Sequence, residues 1–136
     1  MKAPSFVCDT HTLIWHLQDS ASLSAKARSI LDDVEAGRAT AIIPSIVLVE
    51  IVYLAEKNRI DPSLVEMALS CFHGDGENYQ IAALDLAVAE GLRRIPRSVV
   101  PDMPDRIIAA TALAMAVPLL STDSNISTLG NIQVVW

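Results

Sequence analysis

The sequence predicts an α/β fold, a three-layer α/β/α domain with a central, mainly parallel sheet. Two observations support this prediction. Predicted strands alternate with predicted helices along the chain, and the strands are continuous apolar runs, as at residues 6–8 and 41–43. A strand that is apolar at every position is buried on both faces, which is typical of a parallel sheet covered by helices on both sides.

Capping and turn residues set the boundaries in the first half of the chain, because a short polar side chain satisfies the free amides at a helix start. The predicted strands lie over 5–8 and 39–43, and Pro44 closes the second. Four helices are predicted in this half. The first starts near Leu13, and the second runs from Ser22 or Ser24 to Gly37. The third has Ser45 as its cap and ends at about Asn58, and the fourth runs from Asp61-Pro62 to about Cys71.

The second half repeats the alternation after a predicted loop over 73–78. A weak strand is predicted over 79–83, a helix from Asp85 toward Arg94, a loop over 96–104, a helix from about Pro104 to Ala116, and strands over 117–121 and 132–135. No repeat, linker or compositional break divides the chain. We therefore expect residues 1–136 to form a single domain.

Composition narrows the class of protein. With 51% hydrophobic and 19% charged residues, the chain is too apolar to be intrinsically disordered. Its longest uncharged stretch, 107–122, contains Pro118 and is shorter than the ~20 residues of a membrane span. Pro4 lies two residues after Lys2, and Asp9 interrupts the short apolar run, so no signal peptide is expected. These features predict a soluble cytoplasmic protein without a membrane partner.

Acidic side chains occupy the places where ligands bind in such folds, the carboxyl ends of parallel strands. Asp9 follows the first strand, and Asp123 follows the strand that ends near Ser121. Each also has a structural interpretation, Asp9 as a helix cap and Asp123 as part of an Asp-Ser-Asn turn. Asp102 and Asp105 stand at a helix start, where they either complete the cap or present two carboxylates to a cation.

Glu50 is the acid that a purely structural interpretation explains least well. It lies in a helix that is apolar on nearly every side, and burying an unpaired carboxylate costs several kcal/mol. A salt bridge is the structural alternative, but the nearest basic residue along the chain is Lys57, two turns away. Several acids that converge at one sheet edge repel one another unless a cation is present. Oxygen ligands of this kind suit Mg²⁺ or Mn²⁺.

Four segments in order resemble the motifs of the PIN domain family, and within it the VapC-type ribonuclease toxins of type II toxin–antitoxin systems. The likeness extends over nearly the whole chain. The segments are Asp9-Thr10-His11-Thr12-Leu13-Ile14-Trp15, Pro44-Ser45 through Glu50, Asp102 through Ala112 with Asp105-Arg106 at its start, and Leu120-Ser121-Thr122-Asp123.

The resemblance implies that Asp9, Glu50, Asp105 and Asp123 hold one or two Mg²⁺ or Mn²⁺ ions and position water for endonucleolytic cleavage of RNA. Asp102 is a fifth candidate metal ligand. Thr10 and Ser121 would be oxygen groups that support these ligands. The resemblance also implies a cognate antitoxin as partner, and a homodimer or higher homo-oligomer that uses the helices at 45–58 and 62–72, although core burial explains the same apolar residues.

Other features near the predicted site have less defined roles. Basic residues at 57, 59, 93, 94 and 97 either rim an RNA groove or are ordinary solvated helix ends. His11 and His16 are not expected to be catalytic. Trp15 is expected in the core or a contact surface, and with only 6 aromatic residues, base stacking is not expected to dominate RNA binding.

Two further functions remain open. A catalytically silent PIN-like domain that binds RNA or acts as a scaffold would retain the fold without turnover. A phospho-acceptor switch domain also places acids around Mg²⁺, but it requires paired acids after the first strand and a late lysine. No lysine follows Lys57, which counts against that function.

Taken alone, the formal charge of −6 disfavours a nucleic-acid partner, since proteins that bind nucleic acid contact its phosphates through clustered Lys and Arg. Setting aside the five candidate carboxylates among the 16 acids leaves 11 acidic residues against 10 basic ones. Nearly all of the excess charge is thus assigned to one pocket that cations would neutralise, which is compatible with RNA as substrate.

Overall fold

The computed structural model describes residues 3–74 and 76–136. Residue 75 of the predicted loop and Lys2 of the signal-peptide argument lie outside the described residues. The strands are β1 (Ser5–Cys8), β2 (Thr40–Pro44), β3 (Tyr79–Ala82), β4 (Leu119–Leu120) and β5 (Val134–Val135). The helices are α1 (Thr10–Leu17), α2 (Ala25–Glu35), α3 (Ser45–Glu56), α4 (Ser63–Ser70), α5 (Leu86–Leu92) and α6 (Met103–Met115).

The strands form one sheet in the order β3-β2-β1-β4-β5, and every neighbouring pair is parallel. The predicted α/β fold with a parallel sheet is confirmed. The strand order reverses at β1, which pairs with β2 on one side and β4 on the other. In open parallel sheets, ligands bind where the order reverses, beyond the carboxyl ends of the strands.

The core surrounds the central strands. Consecutive side chains of a strand point to opposite faces, so the complete burial of both Val7 and Cys8 means that both faces of β1 are covered. Leu119 and Leu120 of β4 are likewise fully buried. Because both faces of these strands are buried, their consecutive residues in the sequence are apolar.

The register across the central strands brings the predicted site residues together. Cys8 of β1 pairs with Leu120 of β4, so the residues that follow them, Asp9 and Ser121, leave the sheet side by side. Hydrogen bonding continues past both ends of β4. The amide of Val7 donates to the carbonyl of Pro118, and the amide of Ser121 donates to the carbonyl of Val135.

The structure decides one open alternative and corrects two local expectations. Of the two predicted candidates Ser22 and Ser24, Ser24 caps α2, accepting a hydrogen bond from the amide of Ala27 at 3.0 Å. Ser45 is not a cap. The chain passes directly from β2 into α3, so Pro44 takes the N-cap position and no side chain caps that helix. A short 3₁₀ helix over Ile126–Thr128 was not expected from the sequence.

No helix within the described ranges has the length and apolarity needed to cross a bilayer.

Candidate active site

Asp9 lies at the carboxyl end of β1 and begins α1. Its backbone is extended, with φ −80° and ψ 175°, and its Oδ1 accepts a hydrogen bond from the amide of Thr12 at 2.9 Å. The side chain is therefore a helix cap, as the structural interpretation proposed. The cap uses one carboxylate oxygen, so this role is compatible with a ligand role for the other.

Glu50 lies in the middle of α3 and is half-buried. Its Oε1 accepts a hydrogen bond from the hydroxyl of Thr10. Burial raises the pKa of the Glu50 carboxyl above its ordinary value, and the charges of Asp102 and Asp9 raise it further, while Thr10 and His11 act in the opposite direction. Among the ion pairs of the described residues none includes Glu50, so the salt-bridge alternative finds no support.

The start of α6 places two acids one turn apart. Asp102 is the N-cap, and its Oδ2 accepts a hydrogen bond from the amide of Asp105 at 3.1 Å. Asp105 is half-buried, and burial raises the pKa of its carboxyl to about 7, with added repulsion from Asp102, Asp123, Glu50 and Asp9. The negative charges of the four other acids therefore all act on the carboxyl of Asp105.

Asp123 follows β4 in a compact turn. Its Oδ1 accepts hydrogen bonds from the amides of Asn125 and Ile126, both at 2.9 Å, at the start of the 3₁₀ helix. Its own amide donates to the hydroxyl oxygen of Ser121 at 3.0 Å, and Ser121 is buried. Ser121 thus holds the backbone that carries the Asp123 carboxylate.

Four of the five predicted acids converge on one cleft of about 260 Å³. Its lining comprises Asp9, Thr10, His11, Trp15, Glu50, Asp105, Thr122 and Asp123. Asp102 and Ser121 do not line it: Asp102 is exposed beside it, and Ser121 lies buried behind it. Sequence reasoning did not assign His11, Trp15 and Thr122 to the site. His11 and Trp15 could have been found from their four-residue spacing on α1, the helix that Asp9 caps.

Basic residues do not contribute to this cleft. Its lining, within the described parts of the chain, includes no lysine or arginine. The guanidinium of Arg106 points elsewhere, since Nε and Nη2 donate to the carbonyls of Ile95 and Leu92, each at 2.9 Å. Arg106 therefore ties the start of α6 to the end of α5.

The donor set determines which cation the cleft suits. In residues 3–74 and 76–136, no three His, Cys, Asp or Glu side chains stand ready to enclose an ion. The acids instead line an open cleft with carboxylate and hydroxyl oxygens. That arrangement fits Mg²⁺ or Mn²⁺, which bind oxygen and keep several of their waters, better than a closed zinc site of Cys and His.

A family comparison agrees with this geometry. The model of the PIN domain matches residues 6–132. The chain belongs to the PIN domain family. PIN domains are generally nucleases, so membership supports a hydrolase that acts on nucleic acid. None of the curated proteins compared with this PIN domain matches its sequence.

Solved structures share the fold. One is VapBC2 from Rickettsia felis, bound to a DNA fragment from the VapBC2 promoter. It superposes with a TM-score of 0.70 at 16% identity, covering 96% of this chain and 97% of that one. A toxin–antitoxin complex from Klebsiella pneumoniae gives 0.64 at 23% identity, with 96% of both chains covered. DNA-bound VapBC from Salmonella typhimurium gives 0.67 at 18% identity, with 97% of both covered. This PIN domain therefore has the fold found in those complexes.

Proposed function

We propose that this PIN domain is a Mg²⁺- or Mn²⁺-dependent endoribonuclease, a single nuclease domain over residues 1–136 and the toxin of a toxin–antitoxin pair. The observation that carries the proposal is the convergence of Asp9, Glu50, Asp105 and Asp123 in one cleft where the strand order reverses. Family membership supports the nuclease class, and the toxin–antitoxin neighbours support the biological setting.

The chemistry follows from the residues that line the cleft. Asp9, Glu50, Asp105 and Asp123 would hold the cation, with Asp102 as a fifth acid at the rim. When bound, the cation supplies a water of lowered pKa and neutralises charge on the phosphate. Thr10 orients Glu50 through its hydroxyl, and Ser121 orients the backbone of Asp123. In the hydrolysis, the oxygen of water adds to phosphorus and one P–O bond of the RNA breaks; the water gives up a proton, and the departing ribose oxygen takes one up and leaves as a hydroxyl group.

The proposed partners are an RNA substrate, a cognate antitoxin and a second copy of the chain. Apolar side chains support self-association through α3 and α4, because Val49, Val52 and Tyr53 of α3 and Met67 and Leu69 of α4 are exposed. A mass measurement by light scattering at micromolar concentration tests this part. A monomeric mass would contradict it.

Substitution of two acids tests the nuclease. Asp9→Asn keeps a capping oxygen for the amide of Thr12, and Glu50→Gln keeps an acceptor for Thr10, so both variants should fold. We expect each to abolish metal-dependent cleavage of RNA and growth inhibition. Glu66→Gln, an exposed acid on α4, is the control and should cleave like the unmodified chain. Undiminished cleavage by both site variants would contradict the proposal.

One observation favours a second candidate, the catalytically silent PIN-like domain. The described acids do not form a preassembled group around one ion. Calorimetric titration with Mn²⁺ separates the two proposals. Measurable binding that Asp105→Asn weakens supports the nuclease, whereas a folded chain that binds no Mn²⁺ supports the silent domain.

A further inference from the structure

Three aromatic rings form a row beside the acidic cleft. His11 and Trp15 lie one turn apart on α1 and both line the cleft, with their ring centroids 5.7 Å apart and their planes tilted by 46°. Trp15 in turn contacts Trp136, the last residue of the chain, at 5.8 Å between centroids and an edge-on angle of 60°. His11 is exposed, whereas Trp15 and Trp136 are partly buried.

The row extends toward a second cavity. This cavity, of about 340 Å³, is lined by Trp136 together with Ser121, Thr122 and Ser127. Thr122 lines both cavities. The two cavities therefore adjoin at Thr122.

The chemistry of these two cavities differs from that of a phosphate site. Within the described parts of the chain, neither cavity has a lysine or arginine in its lining. Beside its carboxylates, the cleft offers the rings of His11 and Trp15. The second cavity offers the ring of Trp136, hydroxyl groups and the aliphatic side chains of Leu129, Ile132 and Val134. These surfaces suit a flat, uncharged ring that stacks on an aromatic side chain and forms hydrogen bonds at its edge, as a nucleobase does.

The geometry points to a base-binding subsite in which His11, supported by Trp15, stacks on the nucleobase next to the phosphate that is cleaved. This inference rests on the proposed ribonuclease function and adds to it a residue that contacts the base. A base within a duplex is already stacked on both faces and cannot present one to His11, whereas a base in a loop or an unpaired strand can.

Binding of a fluorescent single strand tests the subsite. The probe is a short oligoribonucleotide that carries 2-aminopurine, whose emission falls when it stacks, and the protein carries Glu50→Gln so that the strand stays intact. We expect quenching on binding. His11→Ala should weaken binding about tenfold and remove the quenching, because one stacking partner is lost. His11→Phe should restore both, since it retains an aromatic ring.

The controls separate stacking from other roles of His11. His73→Ala removes an exposed histidine outside both cavities and should bind and quench as before. The same strand annealed into a duplex should give no quenching. Failure of His11→Phe to restore binding and quenching would show that the ring does not act by stacking and would overturn the proposed role of His11.

The outcomes distinguish the two proposals. If the folded Glu50→Gln chain binds the strand but His11→Ala binds and quenches equally well, the subsite is wrong and the nuclease proposal is unaffected. If the unmodified chain neither binds nor cleaves RNA with Mg²⁺ or Mn²⁺, both proposals are wrong.

Discussion

The hydroxyl of Thr10 donates a hydrogen bond to the carboxylate of Glu50, which lies 40 positions further along the chain. The bond joins the first turn of α1 to the middle of α3. It also favours the charged form of Glu50, whose pKa burial raises. Thr10, the residue after Asp9, thus orients the carboxylate of Glu50 and favours its charged form.

The first prediction concerns this hydrogen bond. Thr10→Val has nearly the same shape but cannot donate, so Glu50 loses an interaction that lowers its pKa and fixes its rotamer. We expect the affinity for Mn²⁺ to fall by about 10- to 100-fold, as is usual when a group that supports a metal ligand is removed. Calorimetry measures this, and Thr10→Ser, which keeps the hydroxyl, should restore binding. Equal affinity of all three proteins would contradict the role of Thr10.

The second prediction concerns pH and the stability of the metal-free protein. The pKa of Asp105 is raised from 3.8 to about 7, so between these values the folded state binds the proton more tightly than the unfolded state. Asp105 therefore makes the protein progressively less stable as the pH rises from about 4 to about 7.

Asp105→Asn removes this effect. We expect the variant to be more stable than the unmodified chain by about 1–2 kcal/mol at pH 8, allowing for solvent screening of a half-exposed group, and equally stable near pH 4. Urea unfolding at several pH values with chelator present measures the difference. A difference that does not change with pH would show that the charge of Asp105 is not responsible.

The third prediction concerns metal addition. Since a cation would neutralise the repulsion among the four acids, Mg²⁺ or Mn²⁺ should raise the melting temperature of the unmodified chain. Binding at 100 times the dissociation constant corresponds to about 2.7 kcal/mol. The increase should be lost in Asp105→Asn and retained in Glu66→Gln, whose substituted side chain is exposed on α4. Equal increases in all three proteins would indicate binding outside the cleft.

The fourth prediction concerns Arg106, whose guanidinium binds the carbonyls of Leu92 and Ile95. Arg106→Met leaves both carbonyls without this donor, so we expect a loss of about 2–3 kcal/mol in the free energy of unfolding. Arg106→Lys retains one donor group and should lose about half as much. Arg97→Met, on an exposed side chain, should change stability by less than about 0.5 kcal/mol. Chemical denaturation of the three variants compares them, and equal stabilities would contradict the proposed link between α5 and α6.

Much of this fold could be predicted because its signals are local. The apolar runs at β1 and β2 identify buried strands, and Asp85 and Asp102 cap the helices that they were predicted to begin. The prediction that Ser45 caps α3 was wrong. A serine before an apolar run resembles a cap, but β2 ends so close to α3 that Pro44 takes the N-cap position.

The candidate site was only partly accessible to the same reasoning. The isolated acid in the apolar helix, Glu50, indicated a partner, but nothing local identified Thr10 as that partner. The position of Trp15 could not be assigned either, because one side of this residue packs against the core and another lines the cleft. A pattern of apolar spacing does not distinguish these two surroundings.

Local sequence thus specified the alternation of strands and helices, the buried strands and the acids that follow them, because hydrophobic burial and capping act over a few residues. Tertiary structure decided which acids meet. The placement of β4 beside β1 brings Asp123 to Asp9, and the packing of α3 and α6 adds Glu50 and Asp105. Electrostatic coupling depends on distance in space and not along the chain. The raised pKa of Asp105 therefore belongs to the folded molecule, where the carboxyl is half-buried and charges from four separate segments act on it.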